Sequence, residues 1–156
     1  MTNLYLMCGP SGAGKSTWIK NNKAFNEIVI SRDAIRFGLL ADGEDYFAHE
    51  DGVFKIFINK INDAISLKYE NIYVDATHLN EKSRNKVLDL LNLDNVNLIC
   101  VNFNISLKTC LERNAMREGR ALVPDSAIKK MYYSFSPACY QEKHKYFNII
   151  NIEEHK

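Results

Sequence analysis

The sequence predicts an α/β fold, a parallel sheet with helices packed on both faces. Three observations predict it. Short apolar runs alternate with segments of helical period along the whole chain. The first run stops at a glycine-rich turn that leads into a helix, as a buried parallel strand would. Several later runs end on polar residues, and such sheets bind ligands beyond the carboxyl ends of their strands. The 156 residues, 46% hydrophobic and 25% charged, fit a single globular domain over 1–156. A chain of this length buries roughly 68–70% of its unfolded surface and needs no disulfide or metal staple.

Element by element, Leu4-Tyr5-Leu6-Met7-Cys8 reads as the first strand and Lys15 to Asn22 as the first helix. Glu27 to Ile30 is a second strand, after which Ser31 can cap a helix carrying Ile35 and Leu39 on one face. Residues 42–51, with five acidic side chains, read as a solvated surface loop, His49 included. From Phe54, the apolar positions Phe57, Ile58, Ile61 and Ile65 form a helical stripe. Asn71 to Asp75 is a third strand, and Asn80 caps a helix presenting Val87, Leu88 and Leu91. Val96 to Phe103 is a fourth strand, and Leu107 to Arg117 is helical and arginine-rich. Pro124 suits the first turn of a helix through Lys130, and Tyr146 to Ile152 is the final strand.

Bulk properties remove several function classes. No 18-residue apolar run is present, so nothing reads as a membrane span, and the N-terminus lacks the pattern of a signal peptide. Cys8, Cys100, Cys110 and Cys139 show neither C-x-x-C spacing nor histidine pairs, which argues against zinc and for a reducing, cytoplasmic location. A net charge of +1 rules out a generally basic nucleic-acid coat, though not a local basic groove.

Gly9-Pro10-Ser11-Gly12-Ala13-Gly14-Lys15-Ser16 fits G-x-x-x-x-G-K-S/T at every fixed position. Such a loop turns backbone N–H groups around an anion, which requires glycines where a Cβ would clash or φ is positive. The expected ligand is a nucleoside triphosphate with Mg²⁺, in a three-layer P-loop fold. Gly9, Ser11, Gly12, Ala13 and Gly14 would wrap the phosphates, Lys15 would reach the β- and γ-phosphates, and the Ser16 hydroxyl would ligate the metal. Thr17 either touches the α-phosphate or fills space in the helix.

Three further clusters lie at strand ends. In Ser31-Arg32-Asp33-Ala34-Ile35-Arg36, Asp33 and Arg36 share a helix face. Asp33 can accept the proton of an attacking hydroxyl and Arg36 can hold an anionic part of its carrier; the plainer reading is a first-turn aspartate with a solvated partner. In Val74-Asp75-Ala76-Thr77-His78, Asp75 either organises Mg²⁺ or caps a turn, and His78 reads as a turn residue. Arg113, Arg117 and Arg120 surround a glycine and form either a mobile lid over a transferring phosphoryl group or a solvated helix face.

Together G-P-S-G-A-G-K-S-T-W, S-R-D-A-I-R, V-D-A-T-H-L-N and E-R-N-A-M-R-E-G-R-A-L-V-P-D closely resemble the kinase domain of phage-type polynucleotide 5′-hydroxyl kinases, from about Leu4 to Phe135. The P-loop is generic; R-D-x-x-R and the arginine lid ending in V-P are specific. The resemblance implies ATP-dependent transfer of the γ-phosphoryl group to the 5′-OH end of RNA or DNA, in nucleic-acid end repair. It implies Asp33 as general base, and Lys15, Ser16, Arg113 and Arg117 on the donor, with Arg120 beside them. Arg36 would hold the phosphate on the 3′ side of the terminal nucleoside. Asp75 is similar to the acidic residue after the third strand, and Val123 to an apolar platform under the terminal base. The phage-type enzymes continue into a phosphatase domain, which the single domain expected here lacks. The competing expectations are a small-molecule kinase for a nucleoside, sugar or antibiotic, and a nucleotide switch without an acceptor.

Overall fold

The computed structural model describes residues 1–119 and 122–154. Five strands, β1 (Thr2–Cys8), β2 (Ile28–Ser31), β3 (Asn71–Asp75), β4 (Val96–Asn104) and β5 (Asn148–Glu153), form one parallel sheet in the order β2-β3-β1-β4-β5. Six helices connect them: α1 (Lys15–Asn22), α2 (Arg32–Leu39), α3 (Glu50–Ser66), α4 (Glu81–Leu88), α5 (Leu107–Ala115) and α6 (Asp125–Ser134). The predicted α/β sheet is therefore present, with the glycine turn leaving its central strand.

The period of two along β1 divides the core. Leu4, Leu6 and Cys8 enter a cluster with Phe57 and Ile61 of α3 and Val87 and Leu88 of α4. Met7 enters a second cluster with Ile19 of α1, Cys110 of α5 and Ile128 of α6. Both faces of the sheet are thus covered, as the near-continuous apolar runs require. β1 pairs with β4 along its whole length, from Thr2 opposite Val96 to Cys8 opposite Asn102. The registry brings Gly9, Ser31, Asp75 and Asn104 to one edge of the sheet.

Local signals set the helix starts. Ser31 Oγ accepts from Ala34 N at 3.2 Å, and Asn80 Oδ1 accepts from Ser83 N at 3.0 Å, the expected caps. Several boundaries differ from expectation, β1 starting at Thr2, α3 at Glu50 and β5 at Asn148, and two others bear on the site. Pro124 stands at the N-cap of α6, which runs on to Ser134. Helix α5 ends at Ala115 with Met116 as its C-cap, so Arg117 lies outside it, and Gly119 at φ +59° follows on the connecting segment. Cys8, Cys100 and Cys110 are buried and none of the four cysteines is in a disulfide. Among the described residues, no helix is long and apolar enough to cross a membrane.

Candidate active site

The glycine turn is built for close backbone approach. Gly12 has φ +86°, and a Cβ there would stand 2.5 Å from the Cys110 carbonyl oxygen. Gly14 has φ +96°, and its Cβ would meet the Arg113 guanidinium at 2.9 Å. Arg113 also reaches the Gly12 carbonyl, donating from Nη1 at 3.5 Å, so α5 leans on the glycine turn. Lys15 is buried, and its Nζ donates to the carbonyls of Gly9 at 2.9 Å and Pro10 at 2.7 Å. Burial lowers its pKa to about 8, with the carboxylate of Asp75 pulling the other way. The ammonium stays charged at neutral pH, at the N-terminus of α1, where an anion is favoured.

Beside the lysine, Ser16 Oγ donates to Asp75 Oδ2 at 2.6 Å. A hydroxyl and a carboxylate are hard oxygen donors of the kind Mg²⁺ takes. Among the described residues no group of three or more His, Cys, Asp and Glu is placed to hold a metal. The donor pair therefore fits an ion that draws its remaining ligands from water and phosphate.

A cavity of about 350 Å³ joins the scattered motifs. Its lining includes Ser11, Gly12, Gly14, Lys15, Ser16 and Thr17 of the glycine turn and α1, Asp33 and Arg36 of α2, Asp75 at the end of β3 with Thr77 after it, and Arg117. The Asp33 side chain is 57% exposed, open to an incoming group. Arg36 is buried behind it and holds Asp33 by a hydrogen bond from Nη1 to Oδ1.

Three of the lining residues, all within 42–51, correct the expectation that this stretch is only solvated surface. Glu50 takes a two-pronged contact from Arg36, Nε to Oε1 at 2.5 Å and Nη2 to Oε2 at 3.0 Å. Burial is the largest influence on Arg36 and opposes its charge, but the hydrogen bond to Glu50 and the nearby Tyr46, Glu50 and Asp33 together outweigh it and raise the arginine's pKa. That same hydrogen bond holds Glu50 below the usual carboxylate range. Tyr46 donates from its hydroxyl to Asp33 Oδ1 at 2.7 Å and accepts from Arg36 Nη1 at 2.8 Å. Its pKa is raised by burial and by that bond to Asp33. Phe47 follows on the cavity wall. The sequence signal was the pairing of arginines on α2 with an acidic stretch downstream, and only the fold-back of the loop shows which acid is used.

Other expected residues fall elsewhere. Val123 does not line this cavity; its side chain packs against the cluster of Met7, Ile19 and Ile128. Arg113 lines a neighbouring cavity of about 540 Å³ with Gly14, Thr17, Trp18, Phe103 and Glu154. Arg120 lies outside the described residues. His78 is structural, as expected: it is buried at φ +40°, and its Nδ1 lies 2.6 Å from the Met7 carbonyl oxygen.

A sequence profile described as an AAA domain matches residues 4–138. A protein of Autographa californica nuclear polyhedrosis virus, named as a bifunctional polynucleotide kinase/RNA ligase, is 30% identical over 85% of this chain and 20% of its own length. A chain in the structure of the Pnkp1/Rnl/Hen1 RNA repair complex superposes with a TM-score of 0.72 at 20% identity, covering 85% of this chain and 43% of that one. A gluconokinase from Sinorhizobium meliloti 1021 superposes with a TM-score of 0.57 at 16% identity, covering 96% of this chain and 81% of that one. At these identities the structural likenesses establish the fold. The chain spans about one-fifth of the curated relative and less than half of the repair-complex chain. With its glycine turn after the first strand and a matching profile across most of its length, the chain belongs to the AAA domain family.

Proposed function

We propose that the protein is an ATP-dependent kinase that transfers the γ-phosphoryl group to the 5′-OH end of a polynucleotide, RNA or DNA, in the cytoplasm. One observation carries this reading: Lys15, Ser16, Asp75 and Arg117 share a single cavity with Asp33 and Arg36. A donor cradle, a carboxylate open to an acceptor and a buried arginine behind it are the parts that phosphoryl transfer needs. The similarity to the viral protein named a polynucleotide kinase/RNA ligase supports the choice of acceptor.

In this reading the Gly9–Ser16 loop binds the donor phosphates and Lys15 neutralises the β- and γ-oxygens. Ser16 and Asp75 hold Mg²⁺, which supplies charge neutralisation of the phosphates when bound. Asp33 orients the acceptor hydroxyl and takes its proton. A carboxylate is a weak base, which suffices because the transition state is loose and positioning outweighs deprotonation. Arg36 holds the anionic side of the terminal nucleotide, and Arg117, freed from α5, stabilises the transferring group.

The test is transfer of label from γ-labelled ATP to a 5′-OH oligonucleotide. Asp33→Ala is expected to lower the rate about 10²- to 10⁴-fold. Undiminished transfer by that variant would remove Asp33 from the mechanism. A small-molecule acceptor is the second reading, favoured by the net charge of +1, because polynucleotide binders commonly neutralise several phosphates. Phosphorylation of a free nucleoside or sugar with oligonucleotides ignored would select it.

A further inference from the structure

The loop between α2 and α3 presents an aromatic ring for which the proposed chemistry has so far no task. Phe47 lines the cavity of Lys15 and Asp33, yet it is 62% exposed. An apolar ring open to water inside a ligand cavity is surface that gains from being covered. The ring also has an aromatic neighbour. Tyr46 meets it edge-on at 4.7 Å between centroids, and Tyr46 is itself tied to Asp33 and Arg36 through its hydroxyl. The Arg36 guanidinium lies 4.5 Å from the Tyr46 ring centroid and 6.0 Å from that of Phe47, and of the two rings Phe47 is the more exposed. Phe47 is the other aromatic side chain on the cavity wall.

We propose that Phe47 is the stacking platform for the planar base of the acceptor's terminal nucleotide. The site then takes a hydroxyl carried by a nucleoside unit in preference to one carried by a bare sugar. This rests on the polynucleotide-kinase reading above and narrows it. The geometry runs through Tyr46: its hydroxyl touches the Asp33 carboxylate, and its ring touches Phe47. The stacking surface therefore stands one aromatic side chain away from the base that must meet the 5′ oxygen, and in a nucleoside the base stands one ribose ring away from that oxygen. Val123, the apolar platform that the resemblance implies, packs half-buried against the second core cluster and does not line this cavity, whereas Phe47 does.

The experiment compares kcat/KM for 5′-OH oligonucleotides whose terminal nucleotide is intact or abasic. The protein is used as wild type, Phe47→Ala and Phe47→Trp, with nucleotide affinity measured in parallel to verify folding. Base–aromatic stacking predicts that the wild type prefers the intact end by about 5- to 150-fold. Phe47→Ala should bring the preference close to one, and Phe47→Trp should keep it. A wild type that treats both ends alike, or an alanine variant that retains the preference, overturns the platform while transfer itself stands. Absence of transfer to either oligonucleotide, with a small molecule phosphorylated instead, overturns the kinase reading on which it depends.

Discussion

Lys15 and Asp33 show how far residue type alone carries an argument. The lysine's place in the glycine loop was legible because the spacing allows few other uses, whereas its burial and lowered pKa depend on what closes over it. With that pKa at about 8, nucleotide affinity should weaken by on the order of tenfold between pH 7.5 and 9.5, as the free ammonium loses its proton. Lys15→Arg should flatten the dependence, because a guanidinium stays charged throughout. Titration calorimetry across that range measures both. Asp33 and Arg36 were legible as neighbours on one helix face, but Tyr46 and Glu50 were not legible as their partners. Tyr46→Phe removes the hydroxyl that holds Asp33 Oδ1 while keeping the ring. It should lower phosphoryl transfer by roughly 5- to 10-fold, the value of one hydrogen bond, with nucleotide affinity unchanged. An equal loss of nucleotide affinity would show that the tyrosine serves the cavity as a whole.

At the scale of elements, capping and period explain where helices begin, and long-range polar contacts explain where connecting segments rest. Asn114 at the end of α5 is buried; its amide donates to the Val123 carbonyl at 2.5 Å and its oxygen accepts from Val123 N at 3.0 Å. That clamp ties the end of α5 to the residue before Pro124, and Arg117 lies between the two along the chain. The segment after α6 is pinned by a buried pair: Arg84 donates to Glu142 from Nε at 3.0 Å and Nη2 at 2.7 Å, and from Nη1 to the His78 carbonyl at 2.9 Å. Removing the acid leaves a buried guanidinium, so Glu142→Ala should cost about 3–5 kcal/mol in urea unfolding. His78 adds a pH signature. Burial lowers its folded pKa to about 4, below an unfolded value near 6.5. The unfolded chain therefore takes up the proton first, and stability present above pH 6.5 is lost as pH falls towards 4. The loss is about 3 kcal/mol. His78→Asn, which tolerates the positive φ, should remove this component from the pH profile of unfolding.

For the molecule as a whole, the parallel order places the motif-bearing strand ends together, and the ligand they would bind becomes part of the stability. ATP with Mg²⁺ at about a hundred times its Kd should stabilise the fold by about 2.7 kcal/mol, a rise of roughly 5–11 °C in Tm. Asp75→Asn should forfeit the magnesium-dependent part of that rise, read by thermal shift with and without the ion. By itself the sequence determined the parallel sheet, most helix boundaries within a few residues, the glycine loop and the strand-end candidates. Period, capping and turn chemistry act over a few residues and are written locally. Tertiary structure alone decided that Tyr46, Phe47 and Glu50 line the cavity of Lys15 and Asp33, that Val123 packs half-buried against the second core cluster, and that Arg117 lies beyond its helix. Those outcomes depend on how a loop folds back across the sheet edge and on which side chain fills which space. Both are settled by packing between segments distant in the chain, where no short-range pattern reaches.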